Sequence, residues 1–171
     1  MAIIEVKDSG IKGKGVFATQ SFERGEVILT IDDSFVIDAN NPAHHPFINA
    51  EPDHCDYLPD GTVVLMQEPE CYINHSCDPN VYIYSIGKIR FILTMRDIAA
   101  GEEMVFDYAI NIVNGDWLDC QCGTFDCRGR HRPDFFLLPV SRQLEYLPFL
   151  DAEFVQIHSE KILAILQRMA R

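Results

Sequence analysis

Four short runs carry the residues best suited to chemistry. Asn74-His75-Ser76-Cys77-Asp78-Pro79-Asn80 gathers an amide, an imidazole and a thiol, and Gly101-Glu102-Glu103-Met104-Val105-Phe106-Asp107-Tyr108 ends in a carboxylate and a phenol. Cys120-Gln121-Cys122-Gly123-Thr124-Phe125-Asp126-Cys127 sets three thiols within eight residues, and upstream stands Gly13-Lys14-Gly15-Val16-Phe17. An Asn side chain offers a donor and an acceptor in a fixed fork, and glycines let backbone approach a ligand closely. Each feature also has a plainer reading as turn glycines, a polar turn or a structural tyrosine. Six cysteines in a chain without secretory features favour metal ligation or free thiols over disulfides, and a Cys-x-Cys pair bridges poorly on geometric grounds. Cys55 and Cys71 stand apart, Cys55 beside His54 with His44 and His45 nearby, in a spacing that fits no metal pattern and reads as surface loop.

In this order the runs resemble the SET domain, the fold of most S-adenosylmethionine-dependent protein lysine methyltransferases, from about Gly10 to Gly129. The resemblance implies a mainly β fold of small sheets with a knot-like threading of a later segment through the Asn74-His75 region. It implies that the backbone around Gly13, Lys14 and Gly15 holds the amino-acid end of S-adenosylmethionine, that Asn74 meets its ammonium, and that His75 meets its adenine largely through the main chain. Tyr72 is grouped with these cofactor-binding residues and Asp107 with the pocket, neither on an independent argument. Tyr108 is the implied catalytic residue, its hydroxyl beside the transferring methyl and the lysine nitrogen. Phe106 stands at the family's Phe/Tyr switch, where Phe leaves room for di- or trimethylation. Cys120, Cys122 and Cys127 resemble the post-SET motif, whose fourth thiolate is then Cys77. Four thiolates around one Zn²⁺ make a closed structural site that ties the C-terminal segment across the active site.

Such a reaction needs in-line geometry, exclusion of water and a neutral amine. A free lysine, with a pKa near ~10.4, is neutral about one time in a thousand at physiological pH. Burial beside a sulfonium lowers that pKa, so Tyr108 serves by orientation rather than as a strong base.

The elements that must position these residues read as short strands: Ile3–Val6, Gly15–Ala18, Glu26–Ile31, Phe35–Ile37, Val63–Met66, Val81–Ser85 and Lys88–Leu93. They are β-branched or aromatic runs between turn residues, with a hairpin at Gly87-Lys88. Ser21-Phe22-Glu23-Arg24-Gly25-Glu26 and Asp97-Ile98-Ala99-Ala100-Gly101-Glu102 repeat one device, in which Ser21 and Asp97 can each cap a tight turn. The region from Asn40 to Asp60, with Pro42, Pro46, Pro52 and Pro59, reads as irregular; the resemblance implies that an insert here shapes the substrate groove. Pro133–Pro139 is an apolar segment between prolines. From Asp151, an N-cap, the apolar stripe Phe154, Ile157, Ile162, Ile165, Leu166 and Met169 predicts a helix, with Arg168 and Arg171 at its C-terminal end. That helix packs on the domain, closes over its substrate side or forms a homodimer contact. The expected organisation is a SET catalytic domain over 1–118, a post-SET zinc segment over 119–132 and a C-terminal extension over 133–171.

With 171 residues and 47% hydrophobic content the chain suits one packed domain. No signal peptide and no membrane span are legible, so an intracellular, soluble protein is expected, nuclear or cytoplasmic. A net charge of −12 argues against nucleic-acid binding and suits lysine-rich protein partners, among which histones are the family's commonest association; equally it serves solubility alone. Two rival readings are a catalytically silent SET-like module that binds lysine peptides and a small zinc-stabilised interaction domain without cofactor.

Overall fold

The computed structural model describes residues 2–37, 54–58 and 61–169. Pro42, His44, His45, Pro46, Pro52, Pro59 and Arg171 lie outside the described residues, as does the side chain of Met169. The N-terminal strands β1 (Ile4–Asp8) and β2 (Lys14–Ala18) pair antiparallel, with Val6 opposite Val16. Strand β3 (Val27–Thr30) joins another sheet, and β4 (Val36–Ile37), β5 (Cys55–Tyr57) and β6 (Val63–Leu65) form a small third one in the order β4-β6-β5. The two-residue β7 (Asn74–His75) precedes β8 (Val81–Ile86) and β9 (Ile89–Thr94). The last two close the expected hairpin, with Ile86 opposite Ile89 and Gly87 at φ +62°, the positive first position of a type II′ turn. With β3 they make the sheet β3-β9-β8.

Strand β10 (Glu103–Phe106) gives the site its frame. It runs antiparallel to β2, pairing Met104 with Val16, and parallel to β7, pairing Val105 with Asn74 and Phe106 with His75. Two residues remote from each other in sequence are thereby set side by side. The seam is stitched by Asn80, which has no exposed surface. Its amide nitrogen donates to Glu103 O at 2.8 Å and Glu102 Oε1 at 3.0 Å, while its amide oxygen accepts from Val105 N at 2.8 Å. The repeated turn device also pairs with itself. Phe22 and Ile98 exchange backbone hydrogen bonds of 2.9 Å. Glu26 and Glu102 close their own turns by accepting from Glu23 N and Ala99 N. Asp97, expected to cap its own turn, instead accepts from Arg24 N of the other copy.

Strands β11 (Leu118–Asp119) and β12 (Arg130–His131) clasp the cysteine segment between them. The C-terminal region is more helical than the sequence reading allowed. A 3₁₀ turn over Phe135–Leu137, capped by Asp134, leads into α1 (Val140–Tyr146). The helix expected from Asp151 divides at His158 into α2 (Ala152–Ile157) and α3 (Ser159–Met169). The break turns Ile157 and Leu166 outward and keeps Phe154, Ile162 and Ile165 buried. Asp151 caps α2 through Glu153 N and also accepts from Ser85 N, which fastens the helix to β8.

Two apolar clusters result. One holds Val16, Ala18, Phe22, Ile28, Ile92, Ile98 and Met104; the other holds Met95, Ala109, Ile110, Phe135, Tyr146, Phe154, Ile162 and Ile165. Phe106 packs against both. Among the described residues no helix is long and apolar enough to cross a membrane.

Replacing Asn80 with Leu takes the side-chain partner from the buried Val105 N and from Glu103 O, while Glu102 keeps its pairing with Arg96. Each unsatisfied group costs about 1–3 kcal/mol, so Asn80→Leu should destabilise the fold by on the order of 3 kcal/mol or more. Chemical denaturation read by circular dichroism checks this.

Candidate functional site

The β7–β10 seam draws the N-terminal glycine loop onto Asn74. Asn74 Nδ2 donates to Lys14 O at 2.8 Å and to Glu103 Oε1 at 2.9 Å. Both amide hydrogens are thereby committed, and what Asn74 retains for a ligand is its acceptor oxygen. Gly13 takes a φ of +53°, and Ser9 N closes the loop on Gly13 O at 2.8 Å. Gly15 is needed for a different reason. A Cβ there would run into Glu103 Oε1, and that carboxylate is held by the Ser9 hydroxyl at 2.8 Å. The close approach that the two glycines predict is thus made partly to Glu103 of the same chain. Tyr72 flanks the loop: its ring lies 5.2 Å from Lys14 Nζ, and its hydroxyl donates to Glu68 at 2.9 Å. The bond to Glu68 raises its pKa.

At the other end of β10, His75 is buried, and its Nδ1 accepts from Tyr108 N at 3.1 Å. Burial drives its pKa down to about 4, against the pull of Asp107 and with help from Arg128 and His131. The ring is therefore neutral at physiological pH, the form that can accept the Tyr108 amide. The Tyr108 ring lies 5.1 Å from that of His75 and 6.0 Å from that of Phe106. Its hydroxyl donates to Ile73 O at 3.0 Å, immediately before Asn74, while the side chain remains 37% exposed. Gly13–Gly15, Tyr72, Asn74, His75, Phe106 and Tyr108 thus form one chain of contacts around the seam.

The cysteines form a second centre beside it. All six are unbridged. The sulfurs of Cys77, Cys120, Cys122 and Cys127 lie within 4.8 Å of one another, with Cys77–Cys120 at 3.8 Å and Cys127–Cys120 at 3.7 Å. Four sulfurs at the Zn–S distance of about 2.3 Å define a tetrahedron with edges near ~3.8 Å, so the donor set fits one such ion. Burial pushes the Cys122 thiol up, but the hydroxyl of Thr124 and nearby backbone amides outweigh it and bring the pKa down to about 6. A second grouping of His75, Cys77 and His131 shares Cys77. It fits a cation poorly, because the Arg128 guanidinium stands 3.2 Å from Cys77 Sγ and 3.4 Å from His75 Nε2.

A family model of the SET domain matches residues 13–109. This chain belongs to the SET-domain family. An H3 lysine-36-specific histone-lysine N-methyltransferase of Aspergillus oryzae is 44% identical over 62 residues, which cover 34% of this chain and 6% of that protein. The putative histone-lysine N-methyltransferase 1 of Plasmodium falciparum is 26% identical over 136 residues, covering 73% of this chain and 2% of its own length. The SET-domain chain here therefore spans a small part of these relatives. A crystal structure of KRYPTONITE in complex with mCHG DNA and SAH superposes with a TM-score of 0.57 at 19% identity, covering 74% of this chain and 28% of that one. At that identity the likeness is one of fold. It agrees with the expected SET-domain architecture of small β-sheets followed by C-terminal helix.

Sequence reading gave no site role to Glu103, Asn80 or Arg128, and grouped Asp107 with the pocket on no independent argument. Glu103 holds Asn74, Asn80 locks the strand pair, and Arg128 and Asp107 join at 2.6 Å behind Tyr108. Only position hinted at them: Asn80 ends the first motif, Arg128 follows the last cysteine, and Asp107 precedes Tyr108.

Protein purified without chelator should carry about one zinc per chain. Cys127→Ser should lose the metal and open the segment after Asp119 to protease. Metal analysis and limited proteolysis read the two effects.

Proposed function

We propose that this chain is an S-adenosylmethionine-dependent protein-lysine N-methyltransferase. The observation that carries the reading is the double anchoring of Tyr108, by its amide on His75 and by its hydroxyl on Ile73 O, against the strand that bears Asn74. When bound, S-adenosylmethionine supplies an electrophilic methyl group. The residues to hold it are the main chain of Gly13, Lys14 and Gly15, the acceptor oxygen of Asn74, the backbone of His75, and Tyr72 beside the loop.

The phenol of Tyr108 has given its hydrogen to Ile73 O. Its oxygen is therefore an acceptor toward any other partner. That suits it to orient an amine and to receive the weak C–H contacts of an electron-poor methyl, rather than to act as a strong base. His75 stays uncharged and holds the backbone of Tyr108 in place. Phe106 presents no hydroxyl to pin a water beside the amine, which supports products beyond the monomethyl state.

In this reading residues 1–118 form the catalytic domain. Residues 119–132 are the post-SET segment, whose three thiols join Cys77 around a structural Zn²⁺. Residues 133–171 are an extension. The names of the relatives and the charge of −12 both favour a lysine-bearing, basic protein such as a histone as substrate, and with it a nuclear location.

Methyl transfer from labelled S-adenosylmethionine into histones and a cell extract tests the activity. Tyr108→Phe should lower the rate about 100-fold, the cost of a misplaced reacting group. Equal rates for the two proteins would overturn the assignment of Tyr108. Mass spectrometry should find di- or trimethyl-lysine from the native protein and monomethyl-lysine from Phe106→Tyr. Only monomethyl product from the native protein after exhaustive reaction would overturn the role of Phe106.

A further inference from the structure

Asp107 stands between the two residues assigned to the reaction, yet its carboxylate is committed to elements beyond the family match. It is 1% exposed. Its Oδ1 accepts from Arg128 Nη2 at 2.6 Å and from Ala109 N at 3.0 Å, and its Oδ2 accepts from the Tyr146 hydroxyl at 3.2 Å. Arg128 in turn donates through Nε and through its backbone amide to Cys77 Sγ, at 3.2 and 3.4 Å. Tyr146 ends α1 and is itself 1% exposed. One turn earlier on the same helix, Arg142 pairs with Asp126 of the cysteine loop at 2.6 Å.

These contacts have a direction. The carboxylate of Asp107 receives the Ala109 amide, and Asp107 O receives the Ile110 amide at 2.9 Å, so the backbone is fixed just past Tyr108. The Tyr108 amide meets His75 Nδ1 from this fixed turn, and Asp107 Oδ1 stands 3.8 Å from the same nitrogen. A buried carboxylate needs hydrogen-bond donors for both its oxygens, and here the cysteine segment and α1 each supply one. Loss of either leaves the other with a shifted carboxylate.

We propose that Asp107, Arg128 and Tyr146 form a positioning relay through which the thiol cluster and helix α1 set the placement of Tyr108. The relay rests on the methyltransferase reading for its consequence in rate, but its geometry is independent of that reading. None of the three touches the reacting atoms. They act through the backbone of residue 108 and make the C-terminal extension part of the working enzyme.

Tyr146→Phe in the full, zinc-loaded chain tests the relay, since it removes one hydroxyl and keeps the ring. The kcat for a lysine peptide should fall about fivefold, as for loss of one hydrogen bond, with KM changed less than twofold. Zinc transfer to a colorimetric chelator should quicken. In protein labelled with 3-fluorotyrosine, the Tyr108 resonance, assigned with Tyr108→Phe, should move.

Arg128→Lys keeps the charge but cannot reach both Asp107 and Cys77 with a fork, and should reproduce all three effects. Phe154→Leu loosens the same apolar cluster without touching Asp107. If it matches Tyr146→Phe in every readout, helix packing alone matters and the relay is overturned. Native kcat, native zinc release and an unmoved Tyr108 resonance in Tyr146→Phe also overturn it. If the native protein transfers no methyl group, the functional reading fails, while zinc release and the fluorine resonance still decide the relay.

Discussion

The parallel pairing of β7 with β10 is the constraint on which the rest depends. Two ladder pairs, Val105 with Asn74 and Phe106 with His75, are too few to hold a register by themselves. The register holds because Asn80, fully buried, spends its whole amide on β10 and its flank. A one-residue slip would leave the buried Asn80 amide and Val105 N without partners, and that penalty exceeds what any single ladder bond returns. Once the seam is set, Asn74 reaches the glycine loop, and His75 lies where the Tyr108 amide arrives. The site is a consequence of that register.

Three carboxylates along one short stretch divide the labour of fastening it. Glu102 closes a turn and pairs with Arg96 and Asn80, Glu103 grips Ser9 and Asn74, and Asp107 takes Arg128 and Tyr146. Each points to a different part of the molecule. They bind the second apolar cluster, the cysteine segment and the glycine loop to one strand. In a chain of net charge −12 these acids are structural, so the charge available to steer a basic partner comes from the remaining, solvated carboxylates.

The parts of this architecture legible in the sequence are those written in local chemistry. The hairpin at Gly87-Lys88, the strands around Val16, Ile28 and Ile92, and the N-cap at Asp151 follow from turn residues, β-branching and capping, and each is found within a residue or two. The four cysteines and the seam residues were legible through the ordered motifs. Helix α1 was missed because Pro139 and Pro148 bracket it, and its buried side includes Gln143, a polar residue that satisfies Phe136 O and Leu138 O. A single helix after Asp151 was overread because Ile157 and Leu166 match a 3.6-residue stripe, whereas rings packed around Phe154 and His158 favour a break there. Asn80 and Arg128 were invisible as organisers because their partners lie about 25 and 51 residues away in sequence, a separation no local pattern encodes.

The boundary between the two apolar clusters explains why the family match and the candidate site do not end together. The match stops at residue 109. Ala109 and Ile110 already belong to the second cluster, whose other members come almost wholly from Phe135 onward. Phe106 packs on both clusters, so the wall beside Tyr108 is built half from the matched region and half from the helices. A domain cut at the end of the match would expose Ala109, remove Ile110, unpair Asp107 from Arg128 and Tyr146, and remove three of the four clustered thiols. The C-terminal elements are therefore the other half of the core against which the site is formed.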